Sequence, residues 1–290
     1  MTLDPSIPTR PAIGDDAQAQ ALIACLQAQA QRHTLEIEGR RVCWRAFGEG
    51  PPLVLVHGGH GSWLHWVRNI EALARRSTVW VPDLPGYGES DDAGPGGLTD
   101  LLNATLASLD QLLGSDAPID LVGFSFGGLV AAHIAARRQG VRRLALLGPA
   151  GHGGVRRPRG ELKNWRRAKD EAALAACMHH NLAVHMLHDP AHVDAMAVRV
   201  HTDSCLGARF RSKEISQAGG LKAALEHHGT ELLLAWGEHD VTAEPEIVAR
   251  SLSEGYPLRQ AHVLRGAGHW VQYEAADDIN RLLLHWLHAY

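Results

Sequence analysis

The sequence predicts an α/β protein with a mostly parallel sheet flanked by helices, and three observations carry that expectation. Apolar runs such as Leu53–Val56, Ser77–Asp83, Ile119–Val122 and Arg143–Leu147 lack polar alternation, as strands buried on both faces do. Stretches with helical apolar spacing lie between them, and Leu101, Leu102, Leu109 and Leu113 mark an amphipathic helix over Leu98–Leu113. After the run Ile119–Val122, Gly123-Phe124-Ser125-Phe126-Gly127-Gly128 puts a serine at the apex of a tight strand-to-helix turn. Strands and helices alternating in this way argue for a doubly wound sheet.

The bulk properties narrow the function classes. A chain of 290 residues accommodates one large domain with an insertion or two small ones. A net charge of −4 gives no electrostatic footprint for nucleic acid, so none is expected as a partner. Cys25, Cys43, Cys177 and Cys205 are scattered without a CxxC pair and read as free thiols. Met1–Pro5 lacks the build of a signal peptide and no apolar run reaches membrane-spanning length, so the expectation is a cytoplasmic protein without a membrane partner. The histidine pairs His57/His60, His179/His180, His185/His188 and His227/His228 raise the question of metal. Without a cysteine cluster or HExxH among them, no metal and no cofactor are expected.

In chain order, residues 1 to about 14 are proline-rich and expected to be loose, and Asp15–Arg32 has the spacing of a first helix, giving an N-terminal extension over 1–32. His33–Glu38 and Arg41–Phe47 then read as an antiparallel pair, since Val42, Trp44 and Ala46 alternate with polar or small neighbours. Leu53–Val56 runs into His57-Gly58-Gly59-His60-Gly61-Ser62-Trp63, after which Trp63, Trp66, Val67, Ile70 and Leu73 share one helical face. A glycine loop between strand and helix exposes backbone N–H groups, as an oxyanion hole requires. The loop lacks the G-K-S/T ending of a phosphate loop.

The strings HGGHGSW, DLPGYGES and GFSFGG, in this order and spacing, resemble the α/β-hydrolase superfamily from about residue 33 to the C-terminus, apart from the segment near 150–225. The resemblance implies an eight-stranded, mostly parallel sheet, with a core of residues 33–149 and 229–290. About 80 residues separate the strand Arg143–Leu147 from the next at Glu231–Trp236, far more than a crossover needs. The intervening pattern is helical over Glu161–Leu187, Pro190–His201 and Ala218–Glu226, and the resemblance implies a cap or lid over the site at 150–228. Its early part is basic, through Arg156, Arg157, Arg159, Lys163, Arg166, Arg167 and Lys169; this reads as a solvated helix face, or more sharply as an attraction for anionic substrates.

A serine nucleophile needs a base and an orienting acid. Asp240 follows the strand Glu231–Trp236 and fits the resembling pattern W-G-x-x-D, with Glu238 as the alternative. His269 stands in a glycine-rich loop after the last strand, His262–Leu264, and a tail helix follows over Glu274–Ala289. Ser125, Asp240 and His269 keep the triad order of this fold. The backbone N–H of Phe126 and, by the resemblance, that of Gly59 would hold the oxyanion.

HGGHGSW with GHW and QYE resembles both carboxylesterases and the carbon–carbon-cleaving meta-cleavage-product hydrolases. The latter subgroup has Asn before the nucleophile where this chain has Phe124, which cannot hydrogen-bond a dienoate, and it binds the substrate acid through a cap arginine, for which Arg209 or Arg211 would serve. The expectation is therefore hydrolysis of a small, largely apolar carboxylic ester, thioester or lactone, in a pocket that includes His60, Trp63, Phe124, Trp270 and Arg209, with Trp66 and Phe126 adding to its apolar lining. The alternatives are C–C hydrolysis, cofactor-free haloperoxidase or perhydrolase chemistry, and a non-catalytic ligand sensor. The partner is a small molecule, and the oligomeric state, homodimer included, stays open.

Overall fold

Strands without a polar face must be covered on both sides, and the chain achieves this with one eight-stranded sheet. The computed structural model describes residues 14–226 and 228–288; the expectations for residues 1–13, His227 and Ala289 lie outside the described residues. The strands are β1 (Gln31–Ile37), β2 (Arg40–Phe47), β3 (Pro52–Val56), β4 (Thr78–Asp83), β5 (Ile119–Phe124), β6 (Val141–Leu147), β7 (Glu231–Gly237) and β8 (Arg259–Leu264). Their spatial order is β1-β2-β4-β3-β5-β6-β7-β8. β2 is antiparallel to both of its neighbours, and every other pairing is parallel.

Alternate residues of the central strands serve opposite layers. Leu53 and Leu55 of β3 join Val122 and Phe124 of β5 in one apolar layer, with Trp66 and the tail-helix residues Ile279, Leu283 and Trp286. Val54 and Val56 join Ile119 and Leu121 in the other, under the helices Leu98–Leu113 and Phe126–Arg137. Each such side chain contributes roughly 1.5–3 kcal/mol by leaving water. The chain reverses direction across the sheet after β3, whose neighbours are β4 on one side and β5 on the other, so loops at the strands' C-terminal ends open into a shared crevice there.

The motif DLPGYGES is structural. Asp83 forms a buried ion pair with Arg45 at 3.1 Å and also accepts the backbone N–H of Trp63 at 3.0 Å and of Glu89 at 3.2 Å. Ser90 links the same loop to β2 by accepting from Cys43 N at 2.9 Å.

Several helix limits differ from the sequence reading. The first helix ends at Gln29, because Ala30 is already extended and Gln31 opens β1. The stretch expected as one helix after Trp63 divides into a 3₁₀ turn, Trp63–Trp66, and a short helix, Ile70–Leu73. In the insertion, the helix expected from Glu161 starts only at Glu171, where Asp170 accepts from Ala173 N and caps it. It runs to Asn181 and continues as a π turn, Leu182–Met186. The basic residues ahead of it form an irregular strap with one turn, Trp165–Arg167, rather than a helix face. Asp194 likewise caps the helix Ala195–Gly207, later than the expected Pro190 start. Two short helices, Lys213–Ala218 and Leu221–Ala224, flank Gly219-Gly220. Pro245–Ser253 is a helix the sequence reading did not include, and the tail helix is interrupted at Ala275. No helix among the described residues is long and apolar enough to cross a membrane.

Candidate active site

Ser125 caps the N-terminus of the helix Phe126–Arg137 with φ 52° and ψ −119°, a left-handed conformation that a residue with a Cβ adopts only under constraint. The constraint is visible in the backbone: Ser125 N donates to Leu147 O at 2.9 Å, and Ser125 O accepts from Gly128 N and Ala150 N, each at 2.9 Å. The helix start must pass close under the loop after β3. A Cβ at Gly127 would lie 2.2 Å from His57 O, which is why that position carries glycine.

Asp240 and His269, expected from the sequence, reach the same point from the loops after β7 and β8. His269 Nε2 lies 3.0 Å from Ser125 Oγ, and His269 Nδ1 lies 2.8 Å from Asp240 Oδ2. Asp240 is fully buried and His269 is 3% exposed. Burial alone would push the Asp240 carboxyl up, but the His269 ring and hydrogen bonds from Thr242 outweigh it and hold the group below its ordinary value. Gly148, at φ +48°, leaves room for the pair, since a Cβ there would lie 3.0 Å from Asp240 Oδ2. Glu238, the alternative acid, points elsewhere and accepts from Gly266 N at 3.0 Å.

A family model described as the alpha/beta hydrolase family matches residues 53–282. The chain belongs to that family. Among similar proteins is the dihydrolipoyllysine-residue acetyltransferase component of the acetoin cleaving system of Pseudomonas putida, 33% identical over 266 residues, or 87% of this chain and 68% of that protein. The pimeloyl-[acyl-carrier protein] methyl ester esterase of Vibrio campbellii is 42% identical over 94 residues, which is 32% of this chain and 34% of the esterase. The 2-hydroxy-6-oxononadienedioate/2-hydroxy-6-oxononatrienedioate hydrolase of Escherichia coli K12 is 27% identical over 85% of this chain and 91% of its own.

In this hydrolase the loop after β3 is held by two histidines in defined neutral tautomers. His57 Nδ1 donates to Gly58 O at 2.8 Å, while its Nε2 accepts from Leu84 N at 3.0 Å. His65 Nδ1 accepts from Gly58 N at 3.2 Å. Burial, opposed by Asp83 and the Gly58 carbonyl, lowers the His57 pKa; burial and neighbouring histidines hold His65 well below its ordinary value. The loop carries Gly59 to the cavity wall beside Phe124 and Ser125, and the Gly59 Cα packs so closely on Ser212 that a Cβ would lie 2.4 Å from its hydroxyl. Phe126 occupies the first helical position, where its N–H has no intrahelical acceptor.

Of the residues expected to line the pocket, His60 and Phe124 do so, and Trp63, Trp270 and Arg209 do not. Trp63 is 3% exposed, stacked on Phe47 and covered by the Arg45 guanidinium. Trp270 is fully buried, stacked on Tyr273, and its indole N–H donates to His65 O at 3.1 Å. Arg209 points to a separate surface groove, where Asp92 accepts from its Nε at 2.7 Å. Trp66 and Phe126 are likewise in the core. The packing between sheet and helices consumes these aromatic rings, so the cavity is not the aromatic pocket the sequence suggested.

Three residues at the site were missed. Thr242 gives both its backbone N–H, at 2.7 Å, and its hydroxyl, at 2.8 Å, to Asp240 Oδ1. Glu274 accepts from Gly268 N at 2.6 Å, from His188 N at 2.9 Å and from Asp189 N at 2.7 Å, tying the His269 loop to the insertion. His185, on the π turn, faces the His269 ring and is driven by burial to a pKa of about 3. The sequence signals were the nearness of Thr242 to Asp240, the place of Glu274 at the end of the QYE string, and the pairing of His185 with His188. No group of three His, Cys, Asp or Glu among the described residues could hold a metal ion.

Proposed function

We propose that this alpha/beta hydrolase cleaves a carboxylic ester, or a thioester or lactone, through an acyl-serine intermediate. One observation carries the reading: the unbroken hydrogen-bond chain from Ser125 Oγ through His269 to buried Asp240, opening on a cavity of about 630 Å³. His269 Nε2 takes the Ser125 proton as Oγ bonds to the substrate carbonyl carbon. The oxyanion is received by the N–H groups of Phe126 and Gly59, each worth roughly 3–4 kcal/mol of barrier. The imidazolium, stabilised by Asp240, returns the proton to the leaving group, and water repeats the sequence to release the acid and free serine.

C–C hydrolysis is the second reading. It is supported by the resemblance to the E. coli dienedioate hydrolase along most of both chains. Against it, Phe124 presents an apolar ring where a diketo acid needs a hydrogen-bonding partner.

The test is mass spectrometry of the intact protein after an organophosphonate probe, beside turnover of a 4-nitrophenyl ester series. The expected result is one adduct mapping to Ser125, with ester turnover lost in Ser125→Ala. An unlabelled serine on folded protein, or turnover surviving in the variant, would refute the reading. Turnover of a dienoate diketo acid with inert esters would move C–C hydrolysis to the front.

A further inference from the structure

The charge of the cavity wall specifies the far end of the substrate, an inference that rests on the acyl-serine reading above. Among the described residues, six cationic side chains line the cavity over Ser125, namely Arg156, Arg157, Arg159, Lys163, Arg166 and Lys213, and no carboxylate lines it. Of these, Arg157 is paired, with Glu244 at 2.9 Å. Arg156 is half-buried and donates to a backbone carbonyl, that of Ser216, at 2.8 Å, with no ion pair to an acid among the described residues. Arg159 reaches the carbonyl of its neighbour Gly160, and the Arg166 guanidinium lies 4.2 Å above the Trp165 ring. Among the described residues, no ion pair joins Lys163 or Lys213 to an acid.

This wall is unlike the rest of the molecule. The chain is acidic overall, at −4, so the cations here are not part of a general excess. Several arginines elsewhere are matched to carboxylates, as in Arg41–Asp91, Arg138–Asp110, Arg142–Asp120 and Arg209–Asp92, whereas the cations here are gathered on one concave wall. Burial, opposed by Asp240 and helped slightly by the nearby Arg159, pulls the Arg156 pKa below its ordinary value. Such a concave cluster of one sign focuses its field into the cavity and gains most from a ligand of opposite charge. At the Ser125 end of the cavity Phe124 and His269 are buried and Ser125 half-buried, whereas Arg159, Lys163, Arg166 and Lys213 are exposed and form its rim. Scissile carbon and anion are thereby separated.

We propose that the substrate carries a carboxylate or phosphate at the end remote from its scissile acyl group, bound by Arg156, Arg159, Lys163, Arg166 and Lys213.

The test compares kcat/KM within two matched pairs: mono-(4-nitrophenyl) suberate against 4-nitrophenyl octanoate, and octanoyl-CoA against S-octanoyl-N-acetylcysteamine. At low salt the charged member of at least one pair is expected to be favoured by about tenfold or more, an advantage that shrinks severalfold at high salt. Arg156→Gln, Arg159→Gln and Lys213→Gln should each lower the charged-to-neutral ratio by roughly threefold to tenfold. Preference within the suberate pair alone identifies a carboxylate, and within the thioester pair alone a phosphate. Calorimetric binding of the same pairs to Ser125→Ala reads charge preference without turnover. If no member of either pair is turned over by the wild type while that variant still prefers the anions, the acyl-serine reading fails and the charge assignment stands. Ratios near one in both pairs, in turnover and in binding at low salt, would overturn the assignment.

Discussion

Acidification should destabilise this protein earlier than its carboxylates require, because two buried histidines must stay neutral to hold the loop that carries Gly59. His57 and His65 are 0% and 1% exposed, and each accepts a backbone N–H, from Leu84 and from Gly58 respectively. A proton on either acceptor nitrogen would set donor against donor in a dry site. Both groups therefore have folded pKa values below the 6.5 of the unfolded chain. The sign follows from proton counts: below that value the unfolded state binds a proton that the folded state refuses, so stability is full above about pH 6.5 and is lost as pH falls. The loss reaches about 1.4 kcal/mol per site per pH unit, so where both histidines stay neutral from about pH 7.5 to 5.5 the two sites together cost about 2.7 kcal/mol. For a chain of this size that lowers Tm by about 5 °C or more. His185 and His201, which burial lowers to about 3 and about 4, stay neutral in the same window and add a similar amount. Thermal melts across this range, run beside the double variant His57→Gln/His65→Asn, isolate the effect. Gln Oε1 and Asn Oδ1 keep the two acceptors but cannot titrate, so the variant's stability should fall less steeply with acid than the wild type's. Parallel pH dependences for variant and wild type would refute the reasoning.

Three further outcomes are expected. Thr242→Val removes a hydroxyl that donates to Asp240 Oδ1 at 2.8 Å; kcat should fall about tenfold with KM little changed, as steady-state kinetics on a neutral ester would show. Gly127→Ala forces a Cβ to 2.2 Å from His57 O, so denaturant unfolding should register a loss of at least about 2 kcal/mol together with collapse of activity. Arg45→Met strands the buried Asp83 carboxylate, 1% exposed, and should cost about 3–5 kcal/mol in the same unfolding assay.

The parts of the site that were legible are those whose geometry a short string dictates. A serine between close-packing glycines, after an apolar strand and before a helix, has few other uses, and the fold's strand order then placed Asp240 and His269 at the loops after β7 and β8. The aromatic residues were misread because an apolar ring suits a substrate pocket and a core equally well. Trp63 and Trp270 went to the core through partners 16 and 205 residues away, Phe47 and His65, which no local pattern encodes. The strap was misread for a related reason. Lys163, Arg166 and Arg167 follow helical spacing loosely, but the helix begins at Glu171, where Asp170 supplies the cap, and the basic residues before it cross the cavity mouth instead.

The same contrast explains why chemistry is more legible than specificity in such a molecule. Ser125, Asp240 and His269 sit on loops whose ends the sheet fixes, and a parallel sheet is specified by apolar runs in the sequence itself. The cavity wall is specified by contacts between the insertion and the sheet loops: Gly59 against Ser212, Arg156 on the Ser216 carbonyl, and Glu274 joining Gly268 to His188 and Asp189. None of these pairs is near in sequence apart from Glu274 and Gly268. A changed strap length or cap residue would therefore redirect the cationic rim while leaving the hydrogen-bond chain to Ser125 intact. On the proposed reading, substrate choice would change with the strap alone, at little cost to the packed sheet that holds Ser125, Asp240 and His269.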